Sequence, residues 1–124
     1  MRERVNSLAG APPVGKANTF DVINAKRKYW DVAIKSFNCQ DTRALFLGNR
    51  VRRWVNVERA ALRKLEQLDW SVLLDDLRAP PGNRLEALKG TRKGQHSIRI
   101  NDQWRVCFVW TPEGACDVEI VDYH

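Results

Sequence analysis

The chain has 124 residues, 44% hydrophobic and 29% charged, enough for one domain with a modest core, and this balance excludes a disordered chain. Its 21 basic and 15 acidic side chains leave a formal charge of +6. That excess favours partners that carry phosphate, because each neutralised phosphate releases condensed counterions, although a solvated basic face would account for it equally.

Residues 1–32 differ from the rest. Positions 1–18 are rich in Gly, Ala, Pro and polar residues and lack apolar periodicity. We expect a flexible extension there, with a short helix near 20–29 and a basic cluster, Lys26-Arg27-Lys28, that either touches RNA or stays solvated. The compact domain is expected over 33–124. Residues 33–37 alternate small or apolar with polar side chains, as a short strand does. A helical turn follows over 42–47, stopped by Gly48-Asn49. The main helix is expected over 57–68, with Asn56 as N-cap and Val57, Ala60, Ala61, Leu65 and Leu68 as its buried stripe. Ser71 would cap a further helix over 72–77, which must end before Pro80-Pro81-Gly82.

Beyond that break the apolar period changes from 3.6 to 2. Strands are expected over 85–88, 96–100, 104–111 and 117–123, the last two joined through Pro112-Glu113-Gly114. Helices followed by hairpin-linked strands define an α+β domain with a small, mainly antiparallel sheet. The tryptophans are expected to be structural: Trp104 and Trp110 in the core, Trp54 and Trp70 packing the main helix onto the sheet. His96, on the apolar side, reads as a satisfied core histidine. Arg50, Arg52 and Arg53 either bind RNA or form a solvated cluster at the helix entry.

The segment 97–106 separates core from chemistry. A three-residue loop, Asn101 to Gln103, sets Ile100 opposite Trp104 and Ile98 opposite Val106, on one apolar face that Phe108 and His96 continue. The same register sets Arg99 opposite Arg105 on the other face, with Cys107 on that side. A two-residue loop would pair Ile98 with Arg105 and scramble both faces. Two opposed arginines cost roughly 0.2–1 kcal/mol, which makes sense if an anion occupies the face. Between positions 84 and 105 stand six basic residues (Arg84, Lys89, Arg92, Lys93, Arg99, Arg105) against two acidic ones (Glu86, Asp102). Gly90 and Gly94 would let this loop bring its backbone close to a ligand. Arg84, Arg92, Lys93 and Gln103 are accordingly expected to contact RNA or phosphate; a wet, merely charged sheet face is the alternative.

No metal or other cofactor is expected. The three cysteines, Cys39, Cys107 and Cys116, show no metal-binding spacing and suit a reducing compartment, and the two histidines, His96 and His124, lie far apart. No apolar run has the length of a membrane span, and 9–14 is too short and proline-rich for a signal peptide, so a cytoplasmic protein is expected.

The sequence ends Asp122-Tyr123-His124 directly after an apolar strand, bringing together groups that move protons or hold their neighbours. Imidazole is the side chain whose ordinary pKa lies nearest working pH. Taken with Ile34-Lys35-Ser36-Phe37, Leu85-Glu86-Ala87-Leu88-Lys89-Gly90 and 97–105, this ending resembles the HigB branch of the RelE-like bacterial toxins over about 33–124. The resemblance implies a compact RelE-like fold, ribosome-dependent cleavage of mRNA, and neutralisation by a cognate antitoxin protein. By position it implies that Lys89, Arg99 and Arg105 hold the phosphate and stabilise its transition state, while Asp122, Tyr123 and His124 form the acid–base end. Related toxins often carry a histidine where this chain has Glu86; Glu86 takes over as general base if it is buried, and is otherwise a surface carboxylate. Metal-free RNA cleavage needs these residue types: a base to deprotonate the 2′-OH, cations on the phosphate oxygens, and an acid for the departing 5′-oxygen. The alternative is a non-catalytic RNA- or DNA-binding module, which needs the basic face without the proton-transfer end.

Overall fold

A computed structural model describes residues 33–123. The expected extension over 1–32, with its short helix and basic cluster, and the final His124 lie outside the described residues.

Among the described residues two α-helices precede an antiparallel sheet: α1 is Gln40–Phe46 and α2 is Glu58–Trp70. Strands β1 (Glu86–Ala87), β2 (His96–Arg99), β3 (Trp104–Thr111) and β4 (Gly114–Asp122) lie in the order β1-β2-β3-β4. The α+β architecture and the compact RelE-like layout thus stand as expected. α2 forms because its interior is made of Ala, Leu, Arg, Lys, Glu and Gln, strong helix formers without a β-branched residue. Its Ala61, Leu65 and Leu68 fall on one face and are fully buried, with Val57 and Ala60 partly buried at its rim. They pack with Leu45, Trp54 and Leu77 against Ile98, Val106, Phe108, Val118 and Ile120 of the sheet. The Trp54 ring meets Trp104 edge-on at 6.0 Å.

Several local expectations need correction. Residues 33–37 form no strand; a single parallel bridge joins Phe37 to Val118, and Lys35 N donates to the Ala115 carbonyl at 2.7 Å. Asn56 is exposed and does not cap α2, whose N-cap is Val57 with no side-chain cap bond. Ser71 closes α2 instead of opening a helix, its Oγ donating to the Gln67 carbonyl at 2.8 Å. The helix expected at 72–77 is a 3₁₀ turn, Leu74–Arg78, held by Asp76, whose Oδ2 accepts the Val72 and Leu73 N–H groups at 3.0 Å each. Trp70 is 40% exposed and lies outside the buried cluster that joins α2 to the sheet. His96 stacks on Phe108 at 6.3 Å, but its buried Nδ1 has no hydrogen-bond partner among the described residues.

The last hairpin turns through Pro112-Glu113, with Thr111 opposite Gly114. Gly114 has φ of 129°, and a Cβ there would lie 2.0 Å from the Ala33 carbonyl oxygen, a backbone atom. Gly114→Ala therefore combines a disfavoured backbone with a clash that no side chain can relieve, and should cost at least about 2 kcal/mol. Urea denaturation of the two proteins checks this.

Candidate active site on the polar sheet face

The β2–β3 hairpin has the register that its apolar pattern demands: Ile98 opposite Val106 and Arg99 opposite Arg105. Ile100 N donates to the Trp104 carbonyl at 2.9 Å, closing the Asn101–Gln103 loop. The loop is shaped by Asn101, whose Oδ1 accepts from Gln103 N at 2.9 Å and Trp104 N at 2.8 Å. With β1 and β4 in antiparallel register, Glu86, Ser97, Cys107 and Glu119 fall in one row across the face opposite the core. Arg99, Arg105 and Val121 make the next row.

Arg105 is the centre of this face. Its side chain is only 7% exposed, an uncommon place for a guanidinium, and it is correspondingly well partnered. Nε donates to Ser97 Oγ at 2.7 Å. Nη2 donates to the carbonyls of Arg84 at 2.6 Å and Ser97 at 3.3 Å, and lies 3.3 Å from Glu86 Oε1. The Tyr123 ring covers the guanidinium at 5.1 Å, a cation–π contact. Arg84 reaches Arg105 through its backbone, which takes the left-handed conformation (φ 46°) at the end of the Pro81–Asn83 turn. The opposed arginines do not confront one another: Arg105 turns toward Glu86, and Arg99 pairs with Asp102.

Other expected site residues sit around this centre. Tyr123 is anchored by its backbone N–H, which donates to the Gln103 carbonyl at 2.6 Å. Asp122 lies opposite Trp104, and strand alternation sets it on the other side of β4 from Tyr123. Its Oδ2 accepts from Gln103 Nε2 at 3.1 Å. Lys89 and Lys93 are exposed at the two ends of the Gly90–Arg92 3₁₀ turn, and among the described residues no contact joins either to Arg105 or Tyr123. Arg92 ties that turn to the sheet, its Nη2 3.5 Å from Glu119 Oε2. Glu86 is 48% exposed, so the burial a general base at this position would require is missing. His124 lies outside the described residues. Among the described residues no three His, Cys, Asp or Glu side chains gather as a metal site.

Sequence reasoning missed Ser97 and, for Arg84, foresaw a phosphate contact but not the carbonyl that holds Arg105. Ser97 binds Arg105 through both its hydroxyl and its carbonyl, and Arg84 contributes its carbonyl as well as a charge. Ser97 was visible in principle, because period-2 alternation puts it on the face of Arg99 and Arg105. Nothing in the sequence signals the left-handed turn that aims the Arg84 carbonyl. Cys107 lies fully buried beneath the same row, and burial pushes its thiol up, while the Arg92 guanidinium pulls it down and Glu119 pushes it up.

An antiparallel sheet packed by helices, with a buried arginine between Glu86 and Tyr123 on its polar face, is what comparison with known proteins classifies. Residues 35–124 match the family described as the RelE-like toxin of the type II toxin–antitoxin system HigB, and the chain belongs to that family. Over 55 residues it is 53% identical to "Toxin HigB-1" of Vibrio cholerae serotype O1, covering 44% of this chain and 58% of that protein. Over 53 residues it is 38% identical to an "Uncharacterized protein" of Haemophilus influenzae, covering 43% of this chain and 52% of that one. The matched stretch spans just over half the length of these curated relatives.

Two outcomes follow from this geometry. Ser97→Ala leaves the buried Arg105 Nε–H without its acceptor and should cost about 1–3 kcal/mol in urea denaturation. For Cys107 the sign is fixed by its raised thiol: the unfolded chain ionises first, so the thiol has no effect on stability below the ordinary thiol range and lowers it as pH rises through that range. The loss of stability between pH 8 and pH 10 should therefore be smaller in Cys107→Ala than in the parent.

Proposed function

We propose that this chain is the toxin of a toxin–antitoxin pair, a ribosome-dependent endoribonuclease that cuts mRNA by metal-free acid–base attack of a 2′-OH on the adjacent phosphate. Its partners are then a cognate antitoxin protein, the ribosome and mRNA. The observation that carries this reading is the fixed Arg105 guanidinium, held on the sheet face with Glu86 on one side and Tyr123 over it. A cation locked by Ser97 and the Arg84 carbonyl needs no reorganisation as negative charge builds on a phosphate, and that is where preorganised donors act most strongly.

In this reading the scissile phosphate enters beside Arg105 and takes up guanidinium contact now made with the exposed Glu86 carboxylate. Arg99 and Lys89 supply further positive charge from the adjoining hairpin and turn. A base removes the 2′-OH proton, the 2′-oxygen bonds to phosphorus as the bond to the 5′-oxygen breaks, and an acid returns a proton to that oxygen. Tyr123 and His124, consecutive in sequence, supply the proton-transfer end, and Asp122, hydrogen-bonded to Gln103, holds the strand end that carries them. Glu86, half-exposed and paired with the cation, stays a surface carboxylate beside Arg105. The same pair also favours a second reading: a carboxylate already on Arg105 suits a module that binds RNA without cutting it.

Primer-extension mapping of mRNA after brief induction in bacteria separates the two. Wild type should give breaks confined to translated regions. Arg105→Ala should reduce them on the order of 10²–10³-fold, as expected for loss of a charge-stabilising donor. His124→Ala should reduce them roughly 10²–10⁴-fold, the usual contribution of a positioned acid or base. Wild type that binds RNA yet produces no breaks would leave the binding module in place of the nuclease.

A further inference from the structure

We infer that Glu86 and Asp102 are built-in stand-ins for phosphate, two displaceable carboxylates that compete with RNA for Arg105 and Arg99; this rests on the reading of the chain as an RNA-directed toxin. RNA then enters the polar face by anion exchange. The contact is autoinhibitory, and the ligand it favours is a strand with consecutive phosphates.

Three arginines around the candidate site are each paired with a carboxylate of the same chain. Arg105 Nη2 lies 3.3 Å from Glu86 Oε1, Arg99 pairs with Asp102, and Arg92 Nη2 lies 3.5 Å from Glu119 Oε2. A face that reads as basic in the sequence is thereby neutralised at its guanidiniums.

The three pairs differ in how easily they open. Glu119 is 18% exposed, and its other oxygen accepts from Asn38 Nδ2 at 2.6 Å, so it is held from two sides. Asp102 is 96% exposed and Glu86 48%. Among the described residues the arginine is the one side-chain partner of each. Exposed pairs of this kind are worth little, so a phosphate that accepts two parallel guanidinium hydrogen bonds can replace them. Arg105 need not move in the exchange. Its Nε stays on Ser97 Oγ and its Nη2 on the Arg84 carbonyl while the carboxylate leaves. A carboxylate at this place also steadies a guanidinium that is only 7% exposed.

The register says what replaces the two carboxylates. Arg99 and Arg105 are directly opposed across β2 and β3, an arrangement that sets Cα atoms roughly 4.5–5.5 Å apart in antiparallel pairs. Two guanidiniums so close need two anions. Joining those anions in one strand makes the second displacement intramolecular, which favours it over binding of separate ions. Consecutive phosphates of RNA meet that requirement, whereas a lone phosphate frees one arginine and leaves the other latched.

The test is fluorescence anisotropy of a short dye-labelled single-stranded RNA, 2′-O-methylated so that it resists cleavage. The full chain is used in about 0.15 M salt, where distant charges are screened, and folding is checked by circular dichroism. Glu86→Gln should raise affinity about threefold and Asp102→Asn about twofold, the size expected when an exposed ion pair no longer competes. The double variant should gain about sixfold, since the two pairs act independently. Glu113→Gln removes the same charge from the β3–β4 turn, at the far end of β3 from Arg105, and should leave affinity unchanged. Unchanged affinity in Glu86→Gln or Asp102→Asn overturns the inference. An equal rise in Glu113→Gln does so too, because net charge alone then accounts for the gain. Mapping mRNA breaks in parallel keeps this idea apart from the nuclease. Breaks should persist in Glu86→Gln; their loss there makes Glu86 a participant in the chemistry and overturns its role as a stand-in. Raised affinity without breaks in any of the proteins supports the stand-in and removes the nuclease, and breaks with unraised affinity do the reverse.

Discussion

One side-chain oxygen sets the register on which both faces of the sheet depend. Asn101 Oδ1 accepts two successive backbone N–H groups, closing a three-residue loop between β2 and β3. In that register Ile98 and Val106 meet over the helices while Arg99 and Arg105 meet over the opposite face. A slip of one residue in a period-2 ladder moves every side chain to the other face. It would drive a guanidinium into a cluster of fully buried Leu, Ile, Val and Phe side chains and expose their partners to water. The cost of burying an unpaired charge far exceeds the net worth of any single hydrogen bond, so the turn and the core enforce the same pairing.

The placement of Arg105 follows from the same arithmetic. A guanidinium excluded from water persists only where its donors are matched, and here a hydroxyl, two carbonyls, a carboxylate and an aromatic face meet that demand. These partners come from β1, β2, the turn before β1 and the residue after β4. The arginine consequently joins four separate segments of the chain. Its environment also resolves the like-charge pairing of Arg99 and Arg105: the two side chains diverge, each to its own carboxylate, and the unfavourable term is offset locally.

What could be read from the sequence was the part governed by periodicity. Alternation from Ser97 to Phe108 contains enough large apolar residues to decide the hairpin register, and helical spacing identified Ala61, Leu65 and Leu68 as the buried side of α2. The same spacing places Trp70 about 200° around the helix from Leu68, off the buried stripe. Helix ends were harder, because Asn56 and Ser71 are good capping types whose roles depend on where the backbone turns. Ser71 serves the preceding helix, and Asp76 closes the next turn through local bonds that compete with α-helix. The polar site was legible as a basic hairpin but not as a network. Ser97 is an unremarkable residue type, and the Arg84 carbonyl acts through a backbone angle that no side chain announces.

The segment that covers the outer edge of β4 has a temporal meaning. Ser36 Oγ accepts from the backbone N–H of Asp117, 81 positions away, and donates to its Oδ1, and Asn38 Nδ2 donates to Glu119 across the same interval. Helix α2 and the β2–β3 hairpin close through neighbours in sequence, whereas this strap must wait for the most distant part of the chain to exist. During synthesis the helices and first hairpin can therefore collapse while the edge partner is still unmade. Tyr123, which covers Arg105, arrives with that same late strand. A nascent chain interrupted before β4 thus lacks both the seam that closes the fold and the ring that completes the arginine's surroundings.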